Sequence, residues 1–224
     1  MQMAMPAQPS ARFVITGCGR SGTLFLANAL GRSRRFIVRH EHEDDHRGWF
    51  QLHGTYNRDG HLALARQRFE AHDNYGEVNS FLRYIVADLP VDKRSVIIRN
   101  PLDLAMSAIN KFPLSWMGMH GFTERVHHLK ADLKAVQRLI DAHYPVWRFE
   151  RFIAEPDYMA QIIDWAGIDD VQPLSIRYGA GGKVNAAGRE FCPQVSQLLP
   201  AHRNLLRDNL RWFADEHYPG TWTA

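Results

Sequence analysis

The stretch FVITGCGRSGTLFL, residues 13–26, constrains this chain most. An aromatic and β-branched run breaks into a turn holding Gly17, Gly19 and Gly22, then resumes with helical spacing. Glycines let the chain turn tightly, and the backbone N–H groups of a helix start favour an anion such as phosphate or sulfate. An ordinary strand-to-helix turn also uses glycine, so the residues inside the turn have to decide. In the nucleotide-triphosphate loop, GxxxxGK[ST], a lysine and a magnesium-binding hydroxyl follow the second glycine. Here Thr23 and Leu24 stand at those two positions, and the cation has moved inside the loop, to Arg20. That speaks against an ATPase or an ordinary kinase.

The rest of the chain predicts where this turn sits. FVITG and Thr23–Leu30 read as strand and helix, FIVRH (36–40) as a second strand and SVIIR (95–99) as a third. Helical patterns are expected near 61–72 and 79–88, and Asn100-Pro101 starts a helix ending near Lys111. Val126, Leu129, Leu133, Val136 and Ile140 mark one face of a long helix from Thr123 to His143. PVWRFERF (145–152) reads as another strand, followed by helices at about 157–165 and 201–217. Strands separated by helices predict a three-layer α/β/α fold with a central parallel sheet, in which ligands bind at the carboxyl ends of the strands. Residues 1–11 are expected to be a flexible N-terminal segment and 12–224 a single domain.

Composition narrows the classes. With 224 residues, 45% of them apolar, the chain can bury a sizeable core. The net charge of +3 is a mild bias towards anions, and no basic block or basic-aromatic alternation points to nucleic acid. Cys18 and Cys192 form no CxxC, so reduced thiols and a cytoplasmic setting are the expectation. The N-terminus shows no basic leader with a long apolar segment, and no membrane span is expected.

A second segment, SVIIRNPLDLAMSAINKF, puts Arg99 at a strand end and Ser107 in the helix that follows. Arginine offers a planar fork for phosphate, and serine adds a donor. Together the two segments resemble the signatures of sulfotransferases that use 3'-phosphoadenosine 5'-phosphosulfate (PAPS). YGEVNSFLRYI and VWRFERFIAEP also look like that family, so the resemblance spans residues 13 to about 170. It implies that Gly19, Arg20, Ser21, Gly22, Thr23 and Leu24 bind the 5'-phosphosulfate, while Arg99 and Ser107 bind the 3'-phosphate. Arg20 is expected to stabilise the leaving phosphate rather than donate a proton, given the high pKa of arginine. Related enzymes place a base near the end of the second strand, which implies Glu41, with His42 and His40 behind it. Lys183, in the loop GGKVNAAGR, is assigned to closing over the cofactor, although the loop departs from the RKGxxGxW-type segment of many relatives.

Other residues keep two readings. Glu77, Asn79 and Ser80 either face an acceptor or, for Asn79 and Ser80, cap a helix. PLSWMGMHGF (113–122) is either an apolar lid or core. Glu43, Asp44, Asp45 and His46 are expected in a solvated loop, and the run HEHEDDH lacks the HExxH spacing of a metal site. The expected reaction is sulfuryl transfer from PAPS to a hydroxyl of a small molecule or glycan, with no metal required. The rivals are a nucleotide kinase or NTPase, a catalytically silent nucleotide-binding protein and a metal-dependent hydrolase.

Overall fold

The computed structural model describes residues 11–43, 45, 56–111, 119–172 and 195–222. Among these residues five strands form one wholly parallel sheet: β1 (Ala11–Gly17), β2 (Ile37–Arg39), β3 (Asn74–Val78), β4 (Lys93–Ile98) and β5 (Val146–Arg148). Their spatial order is β2-β3-β1-β4-β5, with β1 at the centre. Helices among the described residues include α1 (Thr23–Leu30), α2 (Arg58–Glu70), α3 (Pro101–Lys111), α4 (Met119–Asp141), α5 (Phe149–Ala154), α6 (Pro156–Ala166) and α7 (Pro200–His217).

Alternation along β1 builds both faces of the core. Phe13 and Ile15 pack with Leu26 and Leu30 of α1 and with Met159 and Ile162 of α6. Val14 points the other way, to Leu62 and Phe69 of α2 and to Val96. On that second side Leu104 of α3, Val126 and Leu133 of α4, and Leu206, Leu210 and Phe213 of α7 form a further apolar cluster. The expected three-layer α/β/α fold is therefore observed. Among the described residues, no helix is long and apolar enough to cross a membrane.

Three expectations need correction. The sequence reading passed over β3, yet this strand pairs with β1 along Ala11–Ile15 and separates it from β2. The segment near 79–88 forms two short 3-10 turns, Ser80–Tyr84 and Val86–Asp88, in place of a helix. VWRFERF is a strand only to Arg148; from Phe149 it is α5, whose Phe149 and Phe152 are buried on one side. Three-residue spacing of the two phenylalanines suits a helix turn and not a strand.

Gly17 ends β1 where the neighbouring strand comes closest. A Cβ there would clash with the carbonyl oxygen of Ile97 and lie 2.9 Å from Ser21 Oγ. Both neighbours belong to the central sheet and its turn, so neither can yield. Gly17→Ala should lose about 1–3 kcal/mol of stability, read from urea unfolding; an unchanged midpoint would contradict this packing.

Candidate active site

The turn after β1 leads into α1 on one face of the sheet, and the turn after β4 leads into α3 on the other. Adjacent parallel strands whose connections diverge leave a crevice at their carboxyl ends, the usual ligand position in such sheets. Cys18–Gly22 and Arg99–Asn100 therefore meet at this switch point.

The first turn is held by Ser21, whose N–H and Oγ both donate to the Cys18 carbonyl at 3.2 and 2.7 Å. Arg20 and Gly22 are left-handed, with φ of 74° and 96°. For Gly22 that is cheap, whereas Arg20 carries strain of about 1–2 kcal/mol. The first helical bond runs from Leu26 N–H to Gly22 O at 3.0 Å. The N–H groups of Thr23 and Leu24 thus precede the helical ladder, and among the described residues no side-chain cap is made there. The Ser21 hydroxyl is spent inside the turn and Thr23 Oγ1 pairs with His40, so what these residues offer an anion is backbone. Cys18 is buried; burial and then the Asp132 carboxylate push its thiol up, which removes it as a nucleophile.

The two cationic segments converge. Arg20 Nε donates to Ser107 Oγ at 3.2 Å, and Arg99 Nη1 donates to the Arg20 carbonyl at 3.1 Å. The second contact fixes Arg20 in its left-handed conformation. Arg99 also lies over the Phe149 ring, 4.6 Å from its centroid, and its buried Nε has no hydrogen-bond partner among the described residues. Asn100 starts α3 as expected, its Oδ1 accepting from Leu102 N–H at 2.9 Å. Two partners invisible in the local sequence brace it: Glu150 accepts its N–H at 2.8 Å, and its Nδ2 donates to Thr221 Oγ1 at 3.0 Å. Tyr218 donates to the same Glu150 at 3.0 Å, so the C-terminal segment is tied to the Arg99 turn.

At the end of β2 the three proposed bases separate. His40 Nε2 lies 3.1 Å from Thr23 Oγ1, next to the start of α1. Glu41 accepts a short hydrogen bond from Ser80 Oγ and lies 3.9 Å from His40 Nε2. Ser80 is fixed in turn by Arg83, which donates to its carbonyl and pairs with Asp132. His42 lines the same cleft as Glu41, and its backbone N–H donates to Asp45 Oδ2 at 2.9 Å. Asn79 caps the turn that begins at Ser80, accepting from Phe81 N–H at 3.0 Å.

Asp45 overturns the solvated-loop expectation for its position: it and Glu77 are both 0% exposed. Asp45 accepts from His61 Nε2 (2.9 Å), Arg68 Nη2 (2.9 Å) and Asn79 Nδ2 (2.6 Å). Glu77 accepts from Arg68 Nε (2.7 Å), the Tyr75 hydroxyl (2.9 Å) and Asn79 Nδ2 (2.9 Å). Burial alone would raise the Asp45 carboxyl; the bond from His61 and the charge of Arg68 outweigh it and hold the group below its ordinary range. This network, missed in the sequence, clamps the residues after β2 against the end of β3 and so positions Glu41 beside Ser80. Glu43 is exposed, as expected, while Asp44, His46, residues 113–118 and Lys183 lie outside the described residues. Among the described residues no three His, Cys, Asp or Glu side chains are grouped to hold a metal ion.

Fold and turn together define an α/β protein with a P-loop-like strand, turn and helix at its switch point. The sequence matches no protein-family model and no curated protein. Seventeen chains of solved structures match it. One is the crystal structure of a sulfotransferase from Alicyclobacillus acidocaldarius, with 16% identity, 94% of this chain and 96% of that chain covered, and a TM-score of 0.49.

Proposed function

We propose that this chain transfers a sulfuryl group from PAPS to an acceptor hydroxyl. The observation that carries the reading is the junction of the two arginine-bearing turns, Arg20 Nε on Ser107 Oγ and Arg99 Nη1 on the Arg20 carbonyl. A donor with phosphate groups at both its 3' and 5' positions needs two cationic sites side by side, and this crevice supplies them. The fit has further support. Among the described residues a Cβ at Gly19 would meet only Ser80 Oγ, at 3.9 Å, so they leave space over that backbone. The start of α1, whose N-cap Gly22 brings no side-chain cap, adds backbone donors.

PAPS supplies the sulfuryl group and, in its 5'-phosphate, the leaving group of an in-line displacement. Arg20 and the N–H groups of Thr23 and Leu24 offset the negative charge that grows on that phosphate. Arginine stays charged throughout, so its part is electrostatic. Arg99 and Ser107 anchor the 3'-phosphate, which fixes the donor's register in the crevice. Glu41, oriented by Ser80, takes the proton of the acceptor hydroxyl as its oxygen bonds to sulfur.

The test is transfer of labelled sulfate from PAPS by the purified chain in the presence of a metal chelator; magnesium-dependent ATP turnover instead would favour the kinase alternative. Arg99→Ala should weaken 3'-phosphoadenosine 5'-phosphate (PAP) about tenfold to a hundredfold in calorimetry, the loss expected of a charge-assisted pair. Unchanged affinity would remove Arg99 from the site.

A further inference from the structure

We infer that the cleft beside Glu41 takes an uncharged, polyhydroxylated acceptor, a saccharide, gripped in part by Arg39 and His72. The inference deepens the sulfuryl-transfer reading and rests on it for treating the occupant as an acceptor. The cleft, about 760 Å³, is of a size that suits a small-molecule site. Its walls include Glu41, Arg39, His42, Gln67, Arg68 and His72, with Tyr75 and Ala71 contributing apolar surface.

Arg68 is part of the wall rather than a donor to the occupant: Nε and Nη2 are spent on Glu77 and Asp45, and Nη1 is covered by the protein. Arg39 is exposed at the rim, and among the described residues it makes no ion pair. A flat apolar acceptor would cover the exposed Arg39, Gln67 and His72 without pairing them, at a cost of about 1–3 kcal/mol for each group left buried and unpaired. An acidic acceptor fares no better: Arg68 already faces two carboxylates, and Glu41 and Glu43 line the cleft together with Arg39. Hydroxyl groups donate and accept at once, so they match a wall that mixes guanidinium, imidazole, amide and carboxylate.

The full chain is titrated by NMR, with and without saturating PAP, against three neutral disaccharides (lactose, cellobiose and chitobiose), a uronic-acid disaccharide and 2-naphthol. The tightest neutral disaccharide should bind at least about tenfold more tightly than the acidic one or naphthol, the margin of one charge-assisted hydrogen bond. Arg39→Ala and His72→Phe, both at exposed positions, serve as probes. Each should weaken that disaccharide about fivefold to tenfold and leave PAP affinity unchanged. Tighter binding of naphthol or of the acidic disaccharide, or disaccharide binding indifferent to both variants, overturns the inference. PAP that binds while every disaccharide fails overturns the saccharide cleft alone. Disaccharide binding that responds to both variants in a chain that does not bind PAP upholds the cleft's chemistry and overturns the sulfuryl-transfer reading.

Discussion

Glu41→Gln should lower kcat for sulfuryl transfer by about 10²- to 10⁴-fold, the span of a lost general base, while PAP affinity stays within about twofold. The asymmetry follows from placement. Glu41 stands at the end of β2, bonded to Ser80 and lining the cleft, whereas the arginines of the donor crevice stand after β1 and β4. Amide for carboxylate keeps the shape and a partner for the Ser80 hydroxyl but removes the proton acceptor. His40 and His42 are the controls. His40 pairs with Thr23 Oγ1, so His40→Asn should disturb the start of α1 and weaken PAP as well as turnover. A larger kcat loss in His42→Asn than in Glu41→Gln, with PAP affinity intact, would move the base to His42.

Arg68→Ala should destabilise the fold by about 3–5 kcal/mol, the penalty for breaking a buried ion pair from one side. Its removal leaves Asp45 and Glu77 buried without their shared cation; the partners that remain among the described residues include Asn79, Tyr75 and His61. Against a total stability of about 5–15 kcal/mol, that is a large share. Urea unfolding at neutral pH measures it, and a change below about 1 kcal/mol would contradict the network. The same cluster sets an acid limit. Asp45 is held below its ordinary value of 3.8 in the folded chain. Its stabilising contribution is therefore present above that value and is lost as pH falls through the depressed folded one. Wild-type stability should decline on acidification below about pH 4, and Asp45→Asn should flatten that decline.

Much of the fold was legible because its signals are local. The FVITG run, the glycine turn and the Thr23–Leu30 helix stand where the sequence puts them, as does α3 behind Asn100-Pro101. What stayed hidden depends on distant partners. NYGEV, which is β3, carries a glycine and an acid in a central strand, against ordinary strand preference. The packed structure explains both: the Phe13 ring lies where a Gly76 side chain would stand, and Glu77 meets Arg68 from α2. Asp45 reads as one more acid in a polar run, and only donors from α2 and the end of β3 bury it. In the site, Arg20, Arg99 and Ser107 were readable as two separate signatures. Their direct contact, and the bracing of Asn100 by Glu150 and Thr221, needed the sheet order to bring the turns together.

The most direct measurement is a crystal structure of the chain with PAP bound. The account predicts the 3'-phosphate on Arg99 and Ser107, the 5'-phosphate on the N–H groups around Gly19–Leu24 beside Arg20, and Glu41 facing the position of the missing sulfuryl group. PAP bound away from these turns, or with its 5'-phosphate turned from Arg20 and Glu41, would contradict it.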